Sequence, residues 1–170
     1  MREIQDVSTQ FLNWFQAEPD FIVCLPFFPA KRSMSLSVSS RSDHRVHIYS
    51  MDHGEYLEFS LDDPEPEGEG WVETLQAICF FMRDKKTGTF GFNAVIGGNI
   101  PLMAGEELNL GVQVLIARAL SELTRVSWEP EKVKQFCLAH QTSPTDEEAP
   151  PFQEILDTVL TQVHILTEAS

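Results

Sequence analysis

Ile4, Val7, Phe11, Trp14 and Phe15 recur at intervals of three and four residues. This spacing predicts an amphipathic helix over residues 3–17 with one face to bury, ended with the help of Pro19. Phe21-Ile22-Val23-Cys24-Leu25 is a short apolar run before Pro26, the pattern of a buried strand. From Ser33 the rhythm changes to strict alternation: Met34, Leu36 and Val38 between serines, then Val46 and Ile48, then Leu57, Phe59 and Leu61. Alternation at this period predicts a three-strand meander, turning at Ser42-Asp43 and at Asp52-His53-Gly54.

Helical period returns at residues 70–84 through Trp71, Leu75, Ile78, Cys79 and Met82, with Lys85-Lys86-Thr87-Gly88 closing it. Phe90, Phe92, Ala94 and Ile96 alternate in a further strand, which Gly97-Gly98-Asn99 breaks. Residues 106–124 carry the broadest apolar stripe, from Leu108 to Leu123, and read as the central buried helix. Residues 129–140 form another, with Pro130 in its first turn. Residues 141–151 hold three prolines and almost no apolar side chains, so they read as a linker. Phe152, Ile155, Leu156, Val159, Val163 and Leu166 then line one side of an expected last helix over 152–170. The chain is thus expected to form a domain over 1–140, a linker and a docking helix.

Composition narrows the functions open to such a domain. A hydrophobic fraction of 42% over 170 residues supports a folded core. The net charge of −14, from 26 acidic and 12 basic residues, works against nucleic acid and other polyanions, whose binding rests on Lys and Arg. Part of the charge sits in Asp62-Asp63-Pro64-Glu65-Pro66-Glu67-Gly68-Glu69 and in Asp146-Glu147-Glu148, both read as solvated loops. No run approaches a membrane span, and Met1 to Asp6 lacks the apolar core of a signal peptide, so a cytoplasmic protein without membrane partners is expected.

Three widely spaced cysteines, Cys24, Cys79 and Cys137, fit buried reduced thiols and neither a disulfide framework nor a zinc site. His44, His47 and His53 lie near Asp43 and Asp52, but alternation sends His44 and His47 to opposite faces, so no metal site is expected. His140 and His164 are placed on or at the ends of helices. Ser33, Ser35, Ser37, Ser39 and Ser40 lack a nucleophile elbow and read as a solvent-facing row. Phe27 and Phe28, between prolines, either anchor a partner or pack beneath their own loop.

Several segments, taken in order, resemble one family. Phe15-Gln16-Ala17-Glu18-Pro19-Asp20-Phe21 looks like the lead-in to the first strand of galactokinases, members of the GHMP small-molecule kinase superfamily. Tyr56 to Asp63 with Trp71 is similar to the stretch before their first long helix, and Ala119 to Leu123 and Glu131 to Val133 continue in register. The most specific match, Gly91 to Leu102, resembles the strand entering the ATP loop. The resemblance covers about residues 7–140 and implies an α+β fold of the ribosomal protein S5 domain 2 type, a mixed, mostly antiparallel sheet with helices on one face.

The same resemblance exposes what has changed. After Pro-Leu the family reads Gly-x-Gly-Leu-Ser-Ser-Ser-Ala, whose glycines admit phosphate and whose serines donate to it at a helix N-terminus. Here Pro101 and Leu102 are followed by Met103, Ala104, Gly105, Glu106, Glu107, Leu108 and Asn109. No serine remains, and two carboxylates face where phosphate would arrive. Unit charges about 4 Å apart repel by roughly 4 kcal/mol at an effective dielectric near 20. The family's Gly-Arg-Val-Asn-Leu-Ile-Gly-Glu-His-Thr-Asp-Tyr sugar motif is replaced by Pro26 to Arg32, and by this resemblance neither a match to its catalytic aspartate nor its second domain is expected among these residues.

The expectation is a non-catalytic galactokinase-like domain without cofactor that binds a protein partner or a second copy of itself. Phe27, Phe28, Phe152, Leu156 and Val159 are its candidate contacts. Two alternatives stand beside it: an ATP- and Mg-dependent sugar kinase with a rearranged site, and a non-catalytic sugar or metabolite binder.

Overall fold

The computed structural model describes residues 2–27, 32–51, 54–62, 71–82, 91–98, 106–124, 128–139, 157 and 160–166. Helix α1 (Arg2–Phe15) leads into β1 (Phe21–Phe27) and β2 (Arg32–Ser40), then β3 (Arg45–Ser50) and β4 (Glu55–Ser60). Helix α2 (Trp71–Met82), β5 (Phe92–Gly98), α3 (Glu106–Thr124), α4 (Pro130–Ala139) and β6 (His164–Leu166) complete the order.

The six strands form one sheet in the order β4-β3-β5-β2-β1-β6. Every neighbouring pair is antiparallel except β3 and β5, which run parallel with Ile48 opposite Ala94. The expected meander is therefore two separate pairs. β5 enters between β2 and β3, and the link from Ser40 to Arg45 steps over it. Two strand spacings are about 10 Å, within the reach of the four intervening residues. The link is held where β5 begins: Arg41 N–H donates to the Gly91 carbonyl at 2.9 Å and Gly91 N–H donates to the Asp43 carbonyl at 2.6 Å.

Alternation sorts the strands into two cores. Val23, Leu25, Met34, Leu36, Val38, Val46, Ile48, Phe92, Ala94 and Ile96 face one side, where they bury against Leu75, Ile78 and Cys79 of α2, Leu115 and Ile116 of α3, and Phe136 of α4. The opposite face is covered by α1, whose Val7 and Phe11 are fully buried with Ile22, Cys24 and Val95. Each such apolar side chain contributes roughly 1.5–3 kcal/mol by leaving water. The sheet thus carries three helices on one face and a fourth on the other.

That fourth helix corrects the reading of the serine row. Ser35 and Ser37 are 2% and 0% exposed, because α1 lies over the polar face of β2. Ser37 Oγ donates to the Val7 carbonyl at 3.0 Å and so ties helix to strand.

The chain's end is also corrected. Residues 160–162 are helical, but 164–166 form β6, an edge strand with Val23 opposite Ile165 and Cys24 opposite His164. The apolar periodicity of the segment suits a helix, yet the open edge of β1 offers backbone partners that a short helical end lacks. Val163 is buried just before the strand, Leu166 is half-buried on it, and His164 stands on a strand rather than a helix.

Candidate functional site

Strand directions bring three connections to one end of the sheet. β1 ends at Phe27 and β2 begins at Arg32; β3 ends at Ser50 and β4 begins at Glu55; β5 ends at Gly98, and α3 begins at Glu106. The register fixes their neighbourhood, with Pro26 opposite Ser33, Met34 opposite Gly98, and Ser50 beside Ile96. The end of β1, the start of β2 and the end of β5 are therefore neighbours, although some 70 residues separate β2 from the end of β5 in sequence.

Glu106, Glu107 and Asn109 occupy the first turn of α3, and Phe27 is the last residue of β1. Pro101, Leu102, Met103, Ala104, Gly105, Phe28, Phe152, Leu156 and Val159 lie outside the described residues. A 19-residue helix presents roughly half a positive charge at its N-terminus, a place that favours an anion. In this chain acidic residues hold that first turn.

The two glycines before the loop have packing reasons of their own. A β-carbon at Gly97 would come within 2.8 Å of Met51 Sδ, and one at Gly98 would overlap the Ser33 carbonyl oxygen. Close backbone approach of β5 to β2 requires Gly98, with or without a phosphate, whereas at Gly97 it is the Met51 side chain that would have to shift. Among the described residues, no group of three or more His, Cys, Asp and Glu side chains is arranged to hold a metal ion.

The opposite end of the sheet assembles a polar cluster. Arg41 grips Asp43 through two hydrogen bonds of 2.8 Å and donates a third, of 2.9 Å, to Asn93 Oδ1. Asp43 also accepts from Arg45 N–H at 3.1 Å, an Asx-type turn. The Arg41 guanidinium, and then the Arg45 N–H, hold the Asp43 carboxyl well below the usual carboxylate range. His47 Nδ1 shares a 2.8 Å hydrogen bond with the Tyr56 hydroxyl and lies 3.5 Å from Glu58. Its Nε2 is buried, with no hydrogen-bond partner among the described residues. Burial, reinforced by the Arg41 charge, pushes the His47 pKa down. Burial, with Glu58 beside it, pushes Tyr56 up.

His44 turns away to Asp62 at 3.1 Å, so the two histidines do not converge. Trp14, at the end of α1, stacks on Tyr56 at 4.9 Å and tilts against Tyr49 at 4.7 Å. The sequence singles out two members of this cluster, Asp43 through its turn chemistry and His47 as a candidate ligand near it. Arg41, Trp14, Tyr56, Glu58 and Asn93 meet because β5 pairs with β3 and α1 crosses the sheet.

Nucleophile chemistry finds no support among the thiols. Cys24, Cys79 and Cys137 are free and buried. Burial raises all three, Cys137 to about 12, which keeps them as unreactive thiols at neutral pH.

No family model matches the chain. It is 29% identical to galactokinase of Haemophilus influenzae over 91 residues, 52% of this chain and 24% of that protein. It is 26% identical to galactokinase of Actinobacillus succinogenes over 87 residues, 49% of this chain and 23% of that protein. The chain spans about a quarter of the length of these curated relatives. Among solved structures, Lactococcus lactis galactokinase complexed with galactose superposes with a TM-score of 0.60 at 17% identity, covering 76% of this chain and 39% of that one. Methanococcus jannaschii mevalonate kinase gives 0.51 at 10% identity, covering 89% and 53%. The chain is similar in sequence to part of galactokinase, and its fold is that of the N-terminal domain of GHMP kinases.

Proposed function

We propose that this chain is a galactokinase-like domain that has given up phosphoryl transfer and works by binding a protein, either a different partner or a second copy of itself. One observation carries the reading: where galactokinases place Gly-x-Gly-Leu-Ser-Ser-Ser-Ala, this chain enters α3 through Met103-Ala104-Gly105-Glu106-Glu107. Phosphoryl transfer needs preorganised donors around the nucleotide phosphates and a carboxylate-held Mg²⁺. This segment offers one glycine, no hydroxyl and two like charges. The strand-to-helix architecture is retained and the donors are not.

Surface composition supports the binding half of the proposal. Leu12, Trp14 and Tyr56 are 49%, 44% and 37% exposed, and the Trp14–Tyr56 stack makes an aromatic patch beside the α1 end. Exposed aromatic anchors of this kind dominate the energetics of protein interfaces.

Isothermal titration with MgATP and with galactose, alongside sedimentation velocity, tests both halves. No heat of binding with either small molecule and a self-associated or partner-bound species is the expected result. Saturable micromolar binding of MgATP overturns the non-catalytic reading in favour of a sugar kinase with a rearranged site. Galactose binding without MgATP binding favours a sugar-binding module instead.

A further inference from the structure

A concave feature lies along α3, away from its N-terminus. α3, the start of α4 and the segment running into β6 enclose a cleft of about 630 Å³. That volume falls in the range of small-ligand sites, roughly 300–1,000 Å³. Arg118 lies twelve residues along α3 from Glu106, about 18 Å at the helical rise, so the cleft is separate from the phosphate-loop region.

The lining joins an apolar wall to a few polar groups. Trp128, Pro130, Leu160 and Val163 supply the wall, and Arg118 and Lys134 are its cations. Lys134 is already taken, its ammonium 2.8 Å from Asp157. Arg118 is held more loosely. Its guanidinium lies 5.5 Å from the Trp128 ring centroid, and its ion-pair partner among the described residues, Glu122, is 3.9 Å away, beyond hydrogen-bonding distance. Its side chain is only 22% exposed, yet among the described residues it makes no hydrogen bond.

A guanidinium over an indole that makes no hydrogen bond of its own has donors to offer, and its planar fork matches a carboxylate through two parallel hydrogen bonds. Charge decides between a carboxylate and a phosphate. With Lys134 and Asp157 cancelling each other, Arg118 shares the lining with Glu131 in a chain of net charge −14. Among the described residues, a second negative charge on the ligand therefore finds no second Lys or Arg in the lining without a close carboxylate partner. We infer that this cleft binds a small molecule bearing one carboxylate and an apolar body, the carboxylate on Arg118 and the body against Trp128 and Leu160. The site is independent of the phosphate-loop reading.

The probes are benzoate, phenylacetate and isovalerate, with benzamide as the neutral counterpart of benzoate and phenyl phosphate as the doubly charged one. Binding is followed by ligand-observed NMR and calorimetry. Saturable binding of at least one carboxylate in the millimolar range or tighter is expected, with benzamide and phenyl phosphate weaker. Arg118→Gln is expected to weaken it about tenfold or more, the worth of a charge-assisted hydrogen-bond pair. Lys132→Gln removes the same charge from the outer side of α4, where Lys132 pairs with Glu129, and is expected to leave binding unchanged. Where Arg118→Gln fails to fold by circular dichroism, Arg118→Lys provides the comparison, since it keeps the charge and loses the two-pronged geometry. No binding by any of the three carboxylates, equal binding of benzamide, or equal loss in Lys132→Gln overturns the inference.

Discussion

The Ser33 carbonyl oxygen occupies the space that a side chain at Gly98 would need. The two residues sit on neighbouring strands, Ser33 one position before Met34, the register partner of Gly98. The same strand begins under the same constraint, because a β-carbon at Gly91 would overlap the Arg45 carbonyl. β5 is thus pinned by a close backbone approach at each end. Gly98→Ala is expected to lower the unfolding free energy by about 1–3 kcal/mol, the usual cost of overpacking. Gly54 provides the contrast. It has φ +63° with nothing within 4 Å of an added β-carbon, so Gly54→Asn, which tolerates that conformation, is expected to stay within about 0.5 kcal/mol. Urea denaturation of both variants separates steric from conformational need for glycine.

Ser37 reaches across to α1 at its Val7 carbonyl, and its hydroxyl is also 3.4 Å from the Val95 carbonyl. Removing the hydroxyl deletes the donor and leaves no buried side-chain group unpaired. Ser37→Ala is therefore expected to cost about 1 kcal/mol, typical of one hydrogen bond. Hydrogen exchange in α1 should quicken more than exchange in α3. Equal effects on both helices would mean that the bond does not specifically dock α1.

His47 sets a pH dependence with a definite sign. Arg41, Arg45, Asp43, Glu58 and Tyr56 surround it, and burial followed by the Arg41 charge lowers its pKa in the folded state. An unfolded histidine titrates near 6.5. Between that value and the lower folded one, the unfolded chain binds more protons, so stability falls as pH falls. The contribution is complete above the ordinary histidine range and is lost as pH drops through the folded value. NMR titration should show the His47 ring changing charge at lower pH than a histidine in the urea-unfolded chain. A His47→Gln variant should show a flatter stability profile over this window; an unchanged profile would remove His47 as its source.

What the sequence made legible follows from how local each signal is. α1, β2 and α3 announce themselves because each carries an apolar stripe at its own period, and β1 because it is an unbroken apolar run, whose Val23 and Leu25 bury on one face and Ile22 and Cys24 on the other. The placement of β5 between β2 and β3 has no local signal. Arg41 meets Asn93 across 52 residues of chain, and nothing near either residue states it. Alternating serines look the same whether water or a helix covers them, so the burial of Ser35 and Ser37 became legible only once α1 was seen to cross β2. At 164–166 the helical period of the side chains competed with an open strand edge, and backbone pairing decided the outcome. The candidate loop was readable only through resemblance, since Met103 to Glu107 taken alone is an ordinary approach to a helix.

The first turn of α3 allows the proposed function to be tested from the opposite direction. Glu106 and Glu107 stand at the positive end of a long helix, where each carboxylate is worth about 0.3–1 kcal/mol. Replacing both with glutamine removes two like charges from the path of a phosphate but restores neither the glycines nor the serine hydroxyls. Two consequences separate the possible roles of these residues. Glu106→Gln/Glu107→Gln is expected to lose about 1 kcal/mol of stability, less at high salt, because the helix dipole loses its counter-charge. It is also expected to gain no measurable affinity for MgATP by titration calorimetry, because repulsion is only part of what bars phosphate from this turn. Were the double variant to bind MgATP at micromolar concentration, the scaffold would still hold a competent nucleotide site that two charges had closed. The loss of phosphate donors would then no longer explain the chain's departure from the kinases it resembles.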